Sequence, residues 1–141
     1  MVPRMEPRFA NTLLCEHVVP GNGGRHTLVN VFAGDIFLAD FPATLFFGFY
    51  TEFFADSTIG LITLQFTLDG SVFANLTAAP AGEIIEGRPG VLVFPIFSVN
   101  IVKDADLRVD AIISGHRNQT VLTKRIKLGA PISRNDLPPP S

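Results

Sequence analysis

The sequence has one cysteine, no tryptophan and few charged side chains. Because Cys15 stands alone, no disulfide within the chain can hold the fold together, and stability must come from a hydrophobic core. Charged residues make up 17% of the 141 residues, against about 25% in a typical globular domain, whereas the hydrophobic share of 47% is ordinary. We therefore expect a single domain with a well-filled core and a surface that carries little charge.

Neither sign of charge dominates the chain. Eleven Lys and Arg against thirteen Asp and Glu give a formal net charge of -2, and the basic residues are scattered along the sequence. Binding to nucleic acid depends on a basic patch or stripe. We therefore expect no nucleic-acid partner.

No hydrophobic run is long enough to cross a membrane as a helix. The longest, from Val91 to Val102, is broken by Pro95 and Asn100 and falls short of the roughly 20 apolar residues that a bilayer requires. The opening residues, MVPRMEPRF, lack the apolar stretch of a secretory signal. These features predict a cytoplasmic protein without a membrane partner.

The most regular pattern is an alternation of apolar and polar residues, which is typical of half-buried strands. It runs over residues 61–68 and again over 71–78, with Asp69-Gly70 between them. Asp-Gly suits a type I′ turn, which needs positive φ at both central residues, so residues 61–78 are predicted to form a hairpin. The inward-facing residues would be Ile62, Leu64, Phe66, Leu68, Val72, Ala74 and Leu76.

Two more hairpins are predicted. Residues 10–19 and 26–32 are joined by the turn Pro20–Gly24, and residues 105–114 and 120–128 are joined by GHRNQ. In the last hairpin the core-facing residues would be Leu107, Val109, Ala111, Ile113, Val121, Ile126 and Leu128.

The spacing of these strands predicts the fold class. No stretch repeats apolar residues with a helical period over the length of a helix, and the short strands are separated by Gly and Pro. This pattern favours an all-β fold, an antiparallel β-sandwich, over residues 9–129. Residues 1–8 and the Pro-rich residues 130–141 are predicted to be tails, because consecutive prolines lack the N–H groups that a sheet requires.

Several short motifs in the first half of the chain resemble a known group. They are CEHVV, the Gly-rich turn, TLVNVF, DIF and FPATL, extended weakly by the final hairpin. This set resembles an uncharacterised bacterial family of single-domain, β-rich proteins, classed as a domain of unknown function. The resemblance implies structural roles for Phe41, Pro42 and Gly24, and it implies no activity.

Candidate catalytic and metal-binding residues are few. Cys15 and His17 are two residues apart, on one face of a predicted strand, and His26 follows across the turn. A structural zinc ion needs four ligands as a rule, and no serine has the Gly-x-Ser-x-Gly surroundings of a hydrolase nucleophile. We expect no catalytic residue, no metal and no cofactor. The alternative is an enzyme or small-ligand protein with a site at one end of the sandwich, built from Cys15, His17 and His26 or from the loop at residues 83–88.

Residues Thr44–Phe54, TLFFGFYTEFF, place six aromatic rings in eleven positions with a single charge. In a regular strand one face is predicted to be core and would hold Leu45, Phe47, Phe49, Thr51 and Phe53. The other face is normally polar in a sandwich. Here it would hold Phe46, Gly48, Tyr50, Glu52 and Phe54.

That outer aromatic face needs a covering. Burying one Phe is worth roughly 1.5–3 kcal/mol out of a total stability of about 5–15 kcal/mol, so leaving several rings in water would be costly. A loop, tail or β-bulge of the same chain, a second copy, a ligand such as a sugar, or a different protein could cover it. We predict a non-catalytic binding or assembly module that self-associates as a homodimer. Its interface residues would be Phe46, Tyr50, Glu52 and Phe54.

Overall fold

The computed structural model describes residues 6–55, 59–78 and 88–129, and over these ranges the chain is built from strands. The strands are β1 (Arg8–Pro20), β2 (His26–Val31), β3 (Ile36–Leu38), β4 (Ala43–Phe54), β5 (Ile62–Leu68), β6 (Ser71–Ala78), β7 (Gly90–Ile101), β8 (Ala105–Ile113) and β9 (Gln119–Leu128). The described ranges contain one short 3-10 turn, Asn22–Gly24, and no α-helix. The predicted all-β fold is confirmed. Nowhere in these ranges is there a helix with the length and apolarity to span a membrane.

The strands form two sheets. One has four strands in the order β2-β1-β4-β7, and the other has five in the order β3-β9-β8-β5-β6. Every pairing is antiparallel except that of β3 with β9, which is parallel. The prediction of a purely antiparallel fold is wrong at this pair. A parallel pair needs a long crossover rather than a tight turn, and the many residues between β3 and β9 provide it.

The β5–β6 hairpin is confirmed, with one correction. Asp69 and Gly70 have φ values of 47° and 85°, as a type I′ turn requires. The register shifts just after the turn, so that β6 carries one extra residue there. Because of this bulge Val72, predicted to face inward, is 49% exposed, and Phe73 packs against Phe66 of the core instead.

The other two hairpins are also confirmed, since β1 pairs with β2 and β8 with β9. The four predicted inward residues of β8 are all buried. Ile126 of β9 is buried as predicted, but Leu128 is 55% exposed. Leu128 is the last residue of β9 and pairs with the last residue of the short edge strand β3, so it lies at the end of the sheet beyond the core.

The predicted tails lie partly outside the described residues. Residues 1–5 and 130–141 are outside them, as are residues 79–87 of the predicted long loop. The part of the predicted tail that is described belongs to the fold, because Arg8 is the first residue of β1 and Pro7 is buried. The Gln119 side chain donates a hydrogen bond to the Pro7 carbonyl at 2.5 Å, which ties this segment to β9.

Phe66 of β5 joins the two sheets. Its ring centroid lies 6.1 Å from that of Phe47, 5.7 Å from that of Phe49 and 4.8 Å from that of Phe97, all on the four-stranded sheet. The contacts with Phe49 and Phe97 are edge-to-face, a favoured geometry for aromatic pairs. The main core cluster takes its buried residues from both sheets around this ring.

Replacing Phe66 with Ala should therefore lower the free energy of unfolding by about 3–5 kcal/mol, because a large side chain is removed from a fully packed site. Leu61→Ala is the matched control, since Leu61 is 61% exposed, and it should change stability by less than about 0.5 kcal/mol. Urea denaturation followed by circular dichroism measures both. Equal effects of the two substitutions would contradict the central position of Phe66.

Candidate functional site: the outer face of β4

The core face of β4 is as predicted. Leu45 is 5% exposed, and the other four predicted core residues, Phe47, Phe49, Thr51 and Phe53, are fully buried. The one polar member, Thr51, has its hydroxyl 2.7 Å from the hydroxyl of Thr12 on the neighbouring strand β1. Both hydroxyls therefore have a hydrogen-bond partner inside the fold, and the face is satisfied without help from another molecule.

The middle of the outer face is covered by the chain itself. Gly48 is buried, and a Cβ atom at this position would lie 2.5 Å from the Pro95 carbonyl oxygen and 3.0 Å from the Val18 nitrogen. β7 bulges beside Gly48, and Val18 of β1 is fully buried. Glycine is required here because two backbone segments approach it closely, and any side chain would have to displace them.

The C-terminal end of the outer face is covered by single side chains. The guanidinium carbon of Arg8 lies 4.8 Å from the centroid of the Phe54 ring, which is a cation–π contact. The His26 ring packs edge-on against Tyr50 with 5.8 Å between centroids. Phe54 and Tyr50 are consequently only partly exposed.

Glu52 connects the polar groups of this region. Tyr50 donates its hydroxyl to Glu52 Oε2 at 2.8 Å, and Asn11 Nδ2 donates to Glu52 Oε1 at 2.9 Å. Burial of the ring, followed by the hydrogen bond and the charge of Glu52, raises the pKa of Tyr50 to about 12. Three of the four predicted interface residues, Tyr50, Glu52 and Phe54, therefore have partners within their own chain.

Phe46, the fourth predicted interface residue, is 57% exposed and lines an apolar groove of about 510 Å³. We call this surface the Phe46 groove. It is lined by Glu16, His17, Val29, Phe32, Ile36, Phe37, Leu38, Leu45, Phe46 and Ile96. Phe37 and Ile96 are 44% and 54% exposed, so the groove presents several apolar side chains to solvent at one end of β4.

Sequence reasoning found Phe46 but missed its neighbours in the groove. Phe37 comes from the short strand β3, and Ile96 comes from the bulged part of β7. These strands belong to different sheets, and no sequence pattern indicates that their ends meet.

The alternative site of Cys15, His17 and His26 is not assembled. Cys15 is fully buried with its thiol 3.7 Å from the Gly48 carbonyl, whereas His17 lies on the surface in the Phe46 groove and His26 packs on Tyr50. Burial raises the pKa of the Cys15 thiol, which disfavours the thiolate needed for nucleophilic chemistry. Among the residues that the structure describes, no three His, Cys, Asp or Glu side chains are grouped so as to hold a metal ion. Of the alternative loop at residues 83–88, only Arg88 is described.

A second depression, of about 670 Å³, lies on the five-stranded sheet and is polar. Its charged side chains largely pair with one another or with neighbours. Arg125 contacts Asp106 at 2.9 Å, and Lys127 contacts Asp35 at the same distance. The depression is therefore close to neutral, which gives it little attraction for a charged ligand.

No family model matches this chain, and no curated protein matches it either. The resemblance to an uncharacterised bacterial family therefore stays a prediction, and the geometry of the chain carries the functional argument alone.

Substituting Gly48 by Ala should lower the free energy of unfolding by about 1–3 kcal/mol, because the new methyl group overlaps backbone atoms of β1 and β7. Gly34→Ala is the control, since a Cβ there meets nothing within 4 Å. Thermal and urea denaturation compare the two. If Gly48→Ala is as mild as Gly34→Ala, β1 and β7 do not close over β4.

The raised pKa of Tyr50 can be tested directly, because the chain has one tyrosine and no tryptophan. The ultraviolet absorbance of tyrosinate should show that the folded protein titrates near 12 and the unfolded chain near the ordinary value of about 10. The fold favours the neutral phenol, so its contribution to stability is complete below about pH 10 and is lost as pH rises towards 12. Glu52→Gln removes the negative charge and should lower the pKa of Tyr50, and an unchanged midpoint would contradict the contribution of the Glu52 charge.

Proposed function

We propose that this protein is a β-sandwich that acts as a non-catalytic binding or assembly module, and that it binds a second copy of itself through the outer face of β4 around Phe46. Contacts between Phe66 and the rings of the opposite sheet support the sandwich arrangement. The single cysteine and the absence of an internal disulfide are typical of a reducing compartment, which supports a cytoplasmic location.

The observation that carries the proposal is the exposure of large apolar side chains in one place. Phe46, Ile96 and Phe37 are each about half exposed, and all three line the Phe46 groove. A contiguous apolar patch on a folded domain commonly marks an interaction site, and isologous contact between two copies is the commonest way to bury one. The low charge of the chain favours such contact, because few charged groups would have to be desolvated.

The contributions of the four predicted interface residues differ. Phe46 supplies free apolar area, so it is the proposed centre of the contact. Tyr50, Glu52 and Phe54 continue the same face of β4, but their partners within the chain already fix them. Their proposed role is to form a rigid border, with polar groups at Tyr50 and Glu52, that sets the register of the two copies.

A second candidate function is the binding of a small apolar ligand in the Phe46 groove. The groove has the composition of many ligand sites, mostly apolar walls with a few polar groups, which here are Glu16 and His17. This alternative and self-association use the same surface, and solution mass separates them. An enzyme has less support, because the buried Cys15 thiol is poorly suited to catalysis.

Light scattering on the purified protein should give twice the monomer mass at micromolar concentration, and Phe46→Asp should give the monomer mass, because a buried unpaired charge opposes contact. Leu61→Asp is the matched control. Leu61 is as exposed as Phe46 but precedes β5 and does not line the Phe46 groove, so its variant should remain a dimer. A monomeric wild type, or a Phe46→Asp variant that keeps the wild-type mass, would reject self-association through this face.

A further inference from the structure

The described part of the chain reaches its C-terminal limit at the wall of the Phe46 groove. The Gly129 nitrogen donates a hydrogen bond to the Leu38 carbonyl at 2.9 Å. A Cβ atom placed on Gly129 would lie 3.4 Å from the Phe37 ring. Leu38 and Phe37 both line the groove, so the chain enters residues 130–141 directly beside it.

The sequence of residues 130–141, APISRNDLPPPS, has the chemistry that an aromatic-lined groove binds. Pro131, Ile132, Leu137 and the run Pro138–Pro140 are apolar. Proline-rich segments bind such grooves as polyproline II helices, because the restricted backbone loses little entropy on binding. Their missing N–H groups also prevent them from extending a sheet, which leaves side-chain contact as their means of docking.

The point of attachment favours the same pairing. The groove carries the exposed carboxylate of Glu16, whereas residues 130–141 hold one basic residue, Arg134, and one acidic residue, Asp136, so charge does not decide the pairing. A segment attached at the groove wall has a high effective concentration there, above that of the same segment on another molecule. An extended polyproline segment advances about 3.1 Å per residue, so residues 130–141 are long enough to lie along the groove.

We propose that residues 130–141 bind in the Phe46 groove of their own chain, with their apolar residues against Phe37, Phe46 and Ile96. One consequence rests on the proposed function. If a second copy uses the same surface, residues 130–141 compete with it, and their release strengthens self-association.

Trypsin cleavage after Arg134 tests the docking, with intact mass recording the loss of residues 135–141. Cleavage follows the population of undocked segment when docking is fast, so Phe46→Asp should be cut about tenfold faster than wild type. Leu61→Asp should be cut at the wild-type rate. Ile132→Asp combined with Leu137→Asp should be cut as fast as Phe46→Asp, and this variant changes no residue that the structure describes.

The outcomes separate this inference from the proposed function. Equal cleavage of wild type and the Ile132→Asp/Leu137→Asp variant would overturn the docking. Protection that increases with protein concentration would also overturn it, because a second molecule would then supply the segment. Light scattering on the same samples reports self-association independently. If wild type is protected from trypsin at Arg134 but is monomeric, the docking stands and the proposed self-association is contradicted. If wild type is dimeric but is not protected at Arg134, self-association stands and the docking is contradicted.

Discussion

Strand β4 is apolar on both faces, and this constraint shapes the rest of the four-stranded sheet. Its inner face supplies Phe47 and Phe49 to the aromatic cluster around Phe66, which joins the two sheets. Leaving its apolar outer face in water would cost more free energy than leaving a polar face there. The described chain covers that face in two different ways and leaves a third part of it open, so that the environment changes along the strand.

At Gly48 the covering is backbone, since β1 and the bulge of β7 approach too closely for any side chain. Towards the end of the strand the covering is Arg8 over Phe54 and His26 against Tyr50. At Phe46 the described chain provides an open groove. The functional proposals follow from this difference along the strand. The described residues leave Phe46 open, so another segment or molecule can gain apolar contact there.

Much of the fold could be predicted from sequence, and the errors share a physical cause. Period-two alternation identified the core face of β4 and all of β8, and Asp69-Gly70 fixed the turn of the β5–β6 hairpin. The bulges in β6 and β7 could not be predicted. The extra residue of a bulge changes the side of the sheet on which neighbouring side chains lie, and the amino-acid composition of the strand does not reveal it. The Phe46 groove is assembled from the ends of several strands. These residues are far apart in the sequence, and no local sequence pattern indicates that they meet in the folded chain. Arg8 covers Phe54 although it was assigned to a tail.

The central proposal is that the outer face of β4, which the described chain closes at Gly48 and Tyr50, binds a second copy at Phe46. Amide chemical shifts recorded over a series of protein concentrations test it residue by residue. The account predicts concentration-dependent shifts at Phe37, Phe46 and Ile96 and none at Leu61. Shifts that avoid the Phe46 groove, or spectra that do not change with concentration, would contradict it.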